Sequence, residues 1–260
     1  MNNRVVLITG ASSGIGKDTA RAFARLGARV VLCARSSDLL DELAGDIRLE
    51  GGTAWALPVD VTRREAVIAA VQAVLRQWDR LEVLVNNAGV GYSGELVSMP
   101  IEQVQKLVDV NFLGVIHFTQ AVLPEMIRQG VGQIINVSSV IGKRATPGHA
   151  VYCATKFALN GLTEALRVEV AGHGIRVSLV CPTLTDTPFS EHSGSDGRPR
   201  SRPRRPSAMS PAAVAQAIVK TALKGRREVV LSWPAKAMLA MNVICPRLLD
   251  WGMAKWWKRH

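Results

Sequence analysis

Short β-branched apolar runs alternate with longer segments of helical period along most of the chain, and that alternation limits the possible folds more than any other feature. The strand-like runs are Val5 to Thr9, Val30 to Ala34, Thr53 to Leu57, Val83 to Asn86, Ile134 to Ser138, Val177 to Cys181 and Val229 to Leu231. Most are apolar at consecutive positions, the pattern of parallel strands covered on both faces. Helical segments lie between them near 15–26, 37–50, 62–78, 102–128, 151–172 and 211–224. In the first of these, Ala20, Phe23, Ala24 and Leu26 form an apolar stripe, with Gly27 placed to stop the helix. Ser210 and Pro211 read as an N-cap and a first helical position. Repeated β-α-β units predict an α/β fold, a doubly wound parallel sheet with helices on both faces. No internal repeat is visible.

Charge divides the chain where the alternation ends. Residues 1–197 are close to neutral, whereas residues 198–260 carry 14 Lys and Arg against Glu228 and Asp250. That end also holds Trp233, Trp251, Trp256 and Trp257. A neutral body with a basic, Trp-rich end suggests an acidic or membrane-surface partner for that end alone. With 48% apolar residues, the chain as a whole is not disordered. Cys33, Cys153, Cys181 and Cys245 have no metal-ligand spacing and read as buried small apolar residues of a reducing compartment. No window approaches 18 uninterrupted apolar residues, and the first apolar run is too short for a signal peptide. The expected location is cytoplasmic.

Thr9-Gly10-Ala11-Ser12-Ser13-Gly14-Ile15-Gly16 follows the first strand and opens the first helix. Glycines there permit a tight turn, and a helix N-terminus offers free N–H groups and a positive dipole end to a pyrophosphate. A Gly-rich loop alone is weak; its strand–turn–helix context strengthens it. Asp60-Val61 follows the third strand, and Asn86-Asn87-Ala88-Gly89 ends the fourth. Ser139 ends the fifth, Tyr152 stands 13 residues later, and Lys156 follows Tyr152 by one helical turn. Asn111 lies in the preceding long helix, and Pro182 and Thr187 follow the sixth strand.

In this order and spacing the residues resemble the short-chain dehydrogenase/reductase family over about residues 4 to 231. The resemblance implies a single Rossmann-type catalytic domain, 1–233, with a substrate lid at 189–210; residues 234–260 become a basic helical extension. It implies an active site of Asn111, Ser139, Tyr152 and Lys156. It implies cofactor contacts from Gly10, Ser12, Ser13, Gly14, Ile15, Gly16, Asp60, Val61, Asn87, Ala88, Gly89, Pro182, Thr183 and Thr187. Thr183 stands where the family usually has Gly. Lys156 is expected on the nicotinamide ribose, and Asn111 as the anchor of a water that links Lys156 to solvent. A homodimer or homotetramer follows from the family pattern.

Cofactor choice rests on the end of the second strand. An acidic residue there would accept from both ribose hydroxyls. The chain instead has Ala34, Arg35 and Ser36. Arg35 can pair with a 2′-phosphate, which predicts NADP(H) over NAD(H); a solvated loop charge is the plainer alternative. The chemistry suits the residue types. A carbonyl reduced by hydride needs a proton, and a neighbouring ammonium should bring the Tyr152 phenol down towards neutral pH. Ser139 would donate to the substrate oxygen. The predicted function is therefore an NADP(H)-dependent oxidoreductase interconverting a ketone or aldehyde and an alcohol, on a hydrophobic substrate. The alternative is a nucleotide sensor or scaffold of the same fold that does not turn over.

Other residues carry weaker readings. Cys153 and Ser138 read as structural, His149 and His192 as pocket residues, and Tyr92 equally as a substrate contact or a plain loop aromatic. Arg198, Arg200, Arg202, Arg204 and Arg205 alternate with prolines in the expected lid, as a solvated loop or as an attractor of an anionic substrate. In the tail, Lys236, Arg247 and Lys258 recur every 11 residues, with Met238, Met241, Cys245 and Leu248 largely opposite; Pro246 and Gly252 are expected to kink or break the run. Cover for the substrate cleft, a subunit contact, peripheral membrane contact and disorder all remain open for it. Nucleic acid is not an expected partner, because no reading motif is present.

Overall fold

The computed structural model describes residues 1–190, 193–197 and 208–257. Its centre is β1 (Val5–Thr9), buried at every position. Val6 and Ile8 point to one layer while Val5 and Leu7 point to the other, the two-residue alternation of a strand covered on both sides. The chain continues through β2 (Arg29–Ala34), β3 (Thr53–Pro58), β4 (Val83–Asn86) and the two-residue β5 (Tyr92–Ser93). Then come β6 (Gly132–Val137), β7 (Ile175–Cys181), the two-residue β8 (Gly194–Ser195) and β9 (Glu228–Val230). Seven of these form one sheet in the order β3-β2-β1-β4-β6-β7-β9, with every pair parallel; β5 and β8 pair separately. The order reverses between β1 and β4. In a doubly wound sheet that reversal opens a crevice at the carboxyl ends of the strands.

The helices cover both faces. One layer is α1 (Gly14–Ala24), α2 (Ser37–Leu49) and α7 (Pro211–Lys224), which bury Phe23, Leu40, Leu43, Val214 and Ile218 against the sheet. The other is α3 (Arg64–Trp78), α4 (Ile101–Val108), α5 (Gly114–Gln129) and α6 (Ala150–Glu169), with Val67, Val74, Phe118, Val122 and Leu166 inside. Fully burying a side chain such as Phe23 or Phe118 contributes about 1.5–3 kcal/mol relative to exposure. Ser210 caps α7 as expected, accepting from the Ala213 N–H at 3.2 Å. The tail forms α8 (Trp233–Ile244) and α9 (Pro246–Trp257).

Three expectations need correction. The helix expected over 102–128 forms as one run but not as a regular α-helix: a π turn at Asp109–Leu113 joins α4 to α5. The extra residue in that turn rotates Asn111 inward, where it is wholly buried. Cys33, Cys153 and Cys181 are buried, but Cys245, at the break between α8 and α9, is exposed. The tail breaks at Pro246 but not at Gly252, so the 11-residue recurrence does not run along one helix; Leu248 shares an exposed face with Arg247 instead of opposing it. The continuous run Ile101–Gln129 has the length and hydropathy to cross a membrane, yet it buries Leu107, Val115, Phe118, Val122 and Met126 in the core beside the sheet.

Candidate active site

One cleft of about 2050 Å³ runs along the carboxyl edge of the sheet, from the start of α1 to the end of α9. At its first end the β1–α1 turn is shaped by backbone demands. Gly14 has φ of 51°, and a Cβ on it would stand 2.9 Å from Thr187 Cγ2. A Cβ on Gly16 would fall 2.1 Å from the Gly10 carbonyl oxygen, so only glycine lets α1 pack against the turn. The Ser13 side chain does not cap α1, and its first turn holds no acidic residue. Free N–H groups and the positive helix end therefore face the cleft beside Ser12, Ser13, Gly14 and Ile15, a cradle that fits a pyrophosphate.

Thr9 holds the opposite lip. Its Oγ1 accepts from the backbone N–H groups of Asn87 and Ala88 at 3.0 Å each. Asn87 Nδ2 donates back to the Thr9 and Gly10 carbonyls at 3.0 and 3.2 Å. Asn86 donates to Asn136 at 2.9 Å, and Asn136 to Thr163 at 2.9 Å, a buried ladder that joins β4, β6 and α6. Arg35, Ser36, Asp60 and Val61 line the outer mouth of the same end. Asp60 Oδ1 accepts from the Thr62 amide and hydroxyl, which fixes the turn after β3. Arg35 has no ion pair among the described residues and is exposed at the mouth. Its guanidinium is available to an anion there.

Ser139, Tyr152 and Lys156 line the middle of the cleft. Ser139 ends the turn after β6, and α6 brings Tyr152 and Lys156 to it from one face. Burial drives the Tyr152 phenol well above its ordinary range, and a hydrogen bond with Ser139 opposes that rise. Burial pulls Lys156 down to about 8. Lys156 Nζ donates to the Val137 carbonyl at 3.0 Å and stands 5.8 Å from the Tyr152 ring centroid. The expected lowering of the phenol by the ammonium is therefore not the prevailing effect. Desolvation is the largest influence on the phenol, and the ammonium donates to a backbone carbonyl. Beneath lies Asn111, which accepts from Val90 N at 2.8 Å and donates to Val90 O at 2.9 Å and Thr155 Oγ1 at 3.2 Å. A Cβ on Gly89 would come 3.3 Å from Asn111 Oδ1 and 3.8 Å from Lys156 Nζ, so both side chains reach the space beside that glycine.

A family model described as short chain dehydrogenase matches residues 4–197. The chain belongs to the short-chain dehydrogenase family. It is 35% identical over 258 residues to YxnA of Bacillus subtilis, an uncharacterised oxidoreductase, covering 98% of this chain and 72% of that one. A short-chain dehydrogenase/reductase from Burkholderia phymatum, solved in complex with NAD, superposes with a TM-score of 0.88 at 25% identity and 95% coverage of both chains. A short-chain dehydrogenase from Sphingobium yanoikuyae, solved with NADPH, gives a TM-score of 0.80 at 33% identity, again covering 95% of both. This short-chain dehydrogenase is thus an oxidoreductase of a fold that holds nicotinamide cofactors.

In it, Gly10, Ala88, Gly89, Pro182, Thr183 and Thr187 also line the cleft, whereas Gly16 and Asn111 do not and act from behind its wall. Thr183 adopts its turn without positive φ, so the residue in the usual Gly position needs no left-handed backbone. Ser138 is buried and donates to Asn160 at 2.7 Å, a structural role. Cys153 is buried, its thiol pushed up by desolvation. His149 lines the cleft with its ring nitrogen 2.9 Å from the Tyr92 carbonyl. Tyr92 also lines the cleft while 4% exposed. His192, the five lid arginines Arg198 to Arg205, and Lys258 lie outside the described residues.

Sequence reasoning missed several residues. Thr9 reads only as a strand end and the start of the Gly-rich loop, and Thr155 is not singled out. Met253, Trp256 and Trp257 of α9 line the far end of the cleft with Phe189, whose ring centroid is 5.9 Å from that of Tyr152. Arg144 secures α8 and α9: its guanidinium donates to Asn242 Oδ1 at 2.9 Å on the first, and to Met253 Sδ at 3.5 Å and to Asp250 on the second. Those partners are about a hundred residues away in the chain, which no local pattern reveals.

Proposed function

We propose that this protein is an NADP(H)-dependent oxidoreductase that interconverts a hydrophobic ketone or aldehyde and its alcohol. The observation that carries the reading is the continuity of the cleft. It joins an uncapped helix N-terminus and a free Arg35 at one end to Tyr152, Ser139 and Lys156 in the middle. Bound there, the nicotinamide supplies or accepts a hydride.

Tyr152 keeps its proton at neutral pH because burial raises its pKa, so it stands ready to donate to the substrate oxygen. Ser139, already hydrogen-bonded to Tyr152, holds the same oxygen and shares its developing charge. Lys156 below stabilises the phenolate that remains, and Asn111 holds the backbone of Val90 against Thr155 so that Lys156 keeps its place. Arg35 and Ser36 would hold a 2′-phosphate, and Ala34 at the end of β2 stands where an acidic residue would repel it, which favours NADP(H). Val140, Ile141, Leu184, Phe189, Met253 and Trp257 line the substrate end, which favours an apolar compound.

The test is NADPH and NADH consumption over a panel of ketones, from acetone-sized to long-chain. The expected result is turnover with NADPH that rises with substrate apolarity. No turnover with either cofactor would sink the enzymatic reading, and a strong preference for NADH would sink the role of Arg35.

A further inference from the structure

The outer face of the tail is more apolar than a solvated surface needs. On α8, Trp233, Ala237, Ala240, Val243 and Ile244 fall on one side of the helical wheel, with Lys236 among them, and all are exposed. Trp233, Val243 and Ile244 are 81%, 83% and 78% exposed. The opposite side, with Ala235 and Asn242, seats the helix. On α9 the outward side carries Arg247, Leu248, Trp251 and Lys255. The only acidic residue of the two helices, Asp250, is paired with Arg144. Two cation–aromatic pairs cross this surface: Lys236 Nζ is 5.2 Å from the Trp233 ring centroid, and Lys255 Nζ 4.3 Å from that of Trp251. The inner side of α9 meanwhile lines the cleft through Met253, Trp256 and Trp257.

We propose that α8 and α9 dock on an anionic phospholipid surface and that α9 passes an apolar carbonyl compound from that surface into the cleft. Exposed Trp and aliphatic groups with basic residues among them are the composition of a helix that lies in a bilayer interface. The Trp–Lys pairs put an apolar ring and a headgroup-binding cation at one depth. A second copy of the chain is the poorer occupant. A symmetric pairing of this face would set Lys236, Arg247 and Lys255 against an equally basic face whose one acidic residue, Asp250, is already paired. Because α9 has one side on the surface and the other in the cleft, a dissolved apolar molecule would not have to cross water. The delivery half of the proposal rests on the oxidoreductase reading; the docking half does not.

The experiment sediments the full chain with phosphatidylcholine vesicles, with and without phosphatidylserine. The wild type should pellet with the anionic vesicles only, and less as salt rises. Ile244→Glu with Trp251→Glu should cut partitioning about tenfold or more, since both apolar groups then face the interface as charges. Lys236→Glu should cut it about fivefold. None of these residues lines the cleft, so the variants should keep the wild-type melting temperature and turnover of a water-soluble ketone. Three outcomes overturn the proposal. They are no pelleting of the wild type, unchanged pelleting of the variants, or a wild-type dimer that Ile244→Glu with Trp251→Glu dissociates. Vesicle binding by a protein that turns over no ketone would overturn the proposed activity and delivery while the docking stood.

Discussion

The two ends of the cleft are held by different physics. At the nucleotide end the groups are backbone amides and buried polar side chains, each with a partner on a distant segment of the chain: Thr9 to Asn87 and Ala88, Asn86 to Asn136, Asn111 to Val90. Removing one member there leaves a buried donor or acceptor unmet, at a cost of about 1–3 kcal/mol. At the cap end, α8 and α9 expose most of their surface, and Arg144 ties them to the body through partners that water can reach. Such a contact is worth about 0–1 kcal/mol. A rigid floor that sets chemistry is thus joined to a lightly held roof that sets access. Substitutions in the floor should change kcat or cofactor choice; those in the roof should change substrate KM.

The largest effect tests the floor. Tyr152→Phe removes the proton donor and keeps the ring against Phe189. Reductive kcat should fall by about 10²–10⁴ with NADPH affinity almost unchanged. Stopped-flow turnover and a fluorescence titration of NADPH measure the two separately. If Trp257→Ala cost as much kcat, the division between floor and roof would be broken. Arg35→Ala should come next, weakening NADPH by about ten- to a hundredfold, the value of one charged hydrogen bond, with NADH unaffected. Equal losses for both cofactors would mean that Arg35 supports the turn and does not read the phosphate.

The same division explains what was legible beforehand. The strands and the β1–α1 turn could be read because local rules demand their residues: a Cβ at Gly16 meets a carbonyl at 2.1 Å, whatever the rest of the chain does. Ser139, Tyr152 and Lys156 could be read because their order and spacing resemble the family's pattern, which one strand end and one helix turn set. Asn111 was found as a residue, but its environment was not. The π turn that rotates it inward has no hydrophobic signature and interrupts a pattern that fits an ordinary helix. The order of effects on Tyr152 was also misread, since burial is a property of the packed cleft and not of two residues four apart. Arg144 was not found at all. An arginine in a loop carries no sign that its partners lie 98 and 106 residues on.

A pH profile sharpens the account of the floor at intermediate size. Lys156, pulled down to about 8, is charged below that pH and neutral above it. Tyr152 above it stays protonated throughout, and Cys181 beside it is pushed up to about 12, so neither supplies a competing charge near pH 8. Giving up the phenol proton is easier beside a cation, so reductive kcat/KM should decline as pH rises through about 8, by at most tenfold per unit. Lys156→Arg, charged at every accessible pH, should lose activity overall but also lose the decline. A flat wild-type profile across pH 8 would remove Lys156 from the proton step.

The smallest effect tests the roof. Arg144→Ala deletes the contacts to Asn242, Asp250 and Met253 together. Asp250 is 64% exposed on its side chain and water can take it over, so the melting temperature should move by no more than about 2–4 °C. Freed, α9 would hold Met253 and Trp257 over the cleft for less of the time. The KM for a long-chain ketone should rise severalfold, that for a small water-soluble ketone should stay constant, and kcat should be the same for both. Arg144→Lys tests whether charge alone suffices. A single ammonium can meet Asp250 but cannot span Asn242 and Asp250 as the planar fork does, so it should restore only part of the KM. A fall in kcat equal for both ketones would mean that Arg144 positions the catalytic floor through the turn after Ser139, and that floor and roof are one mechanical unit.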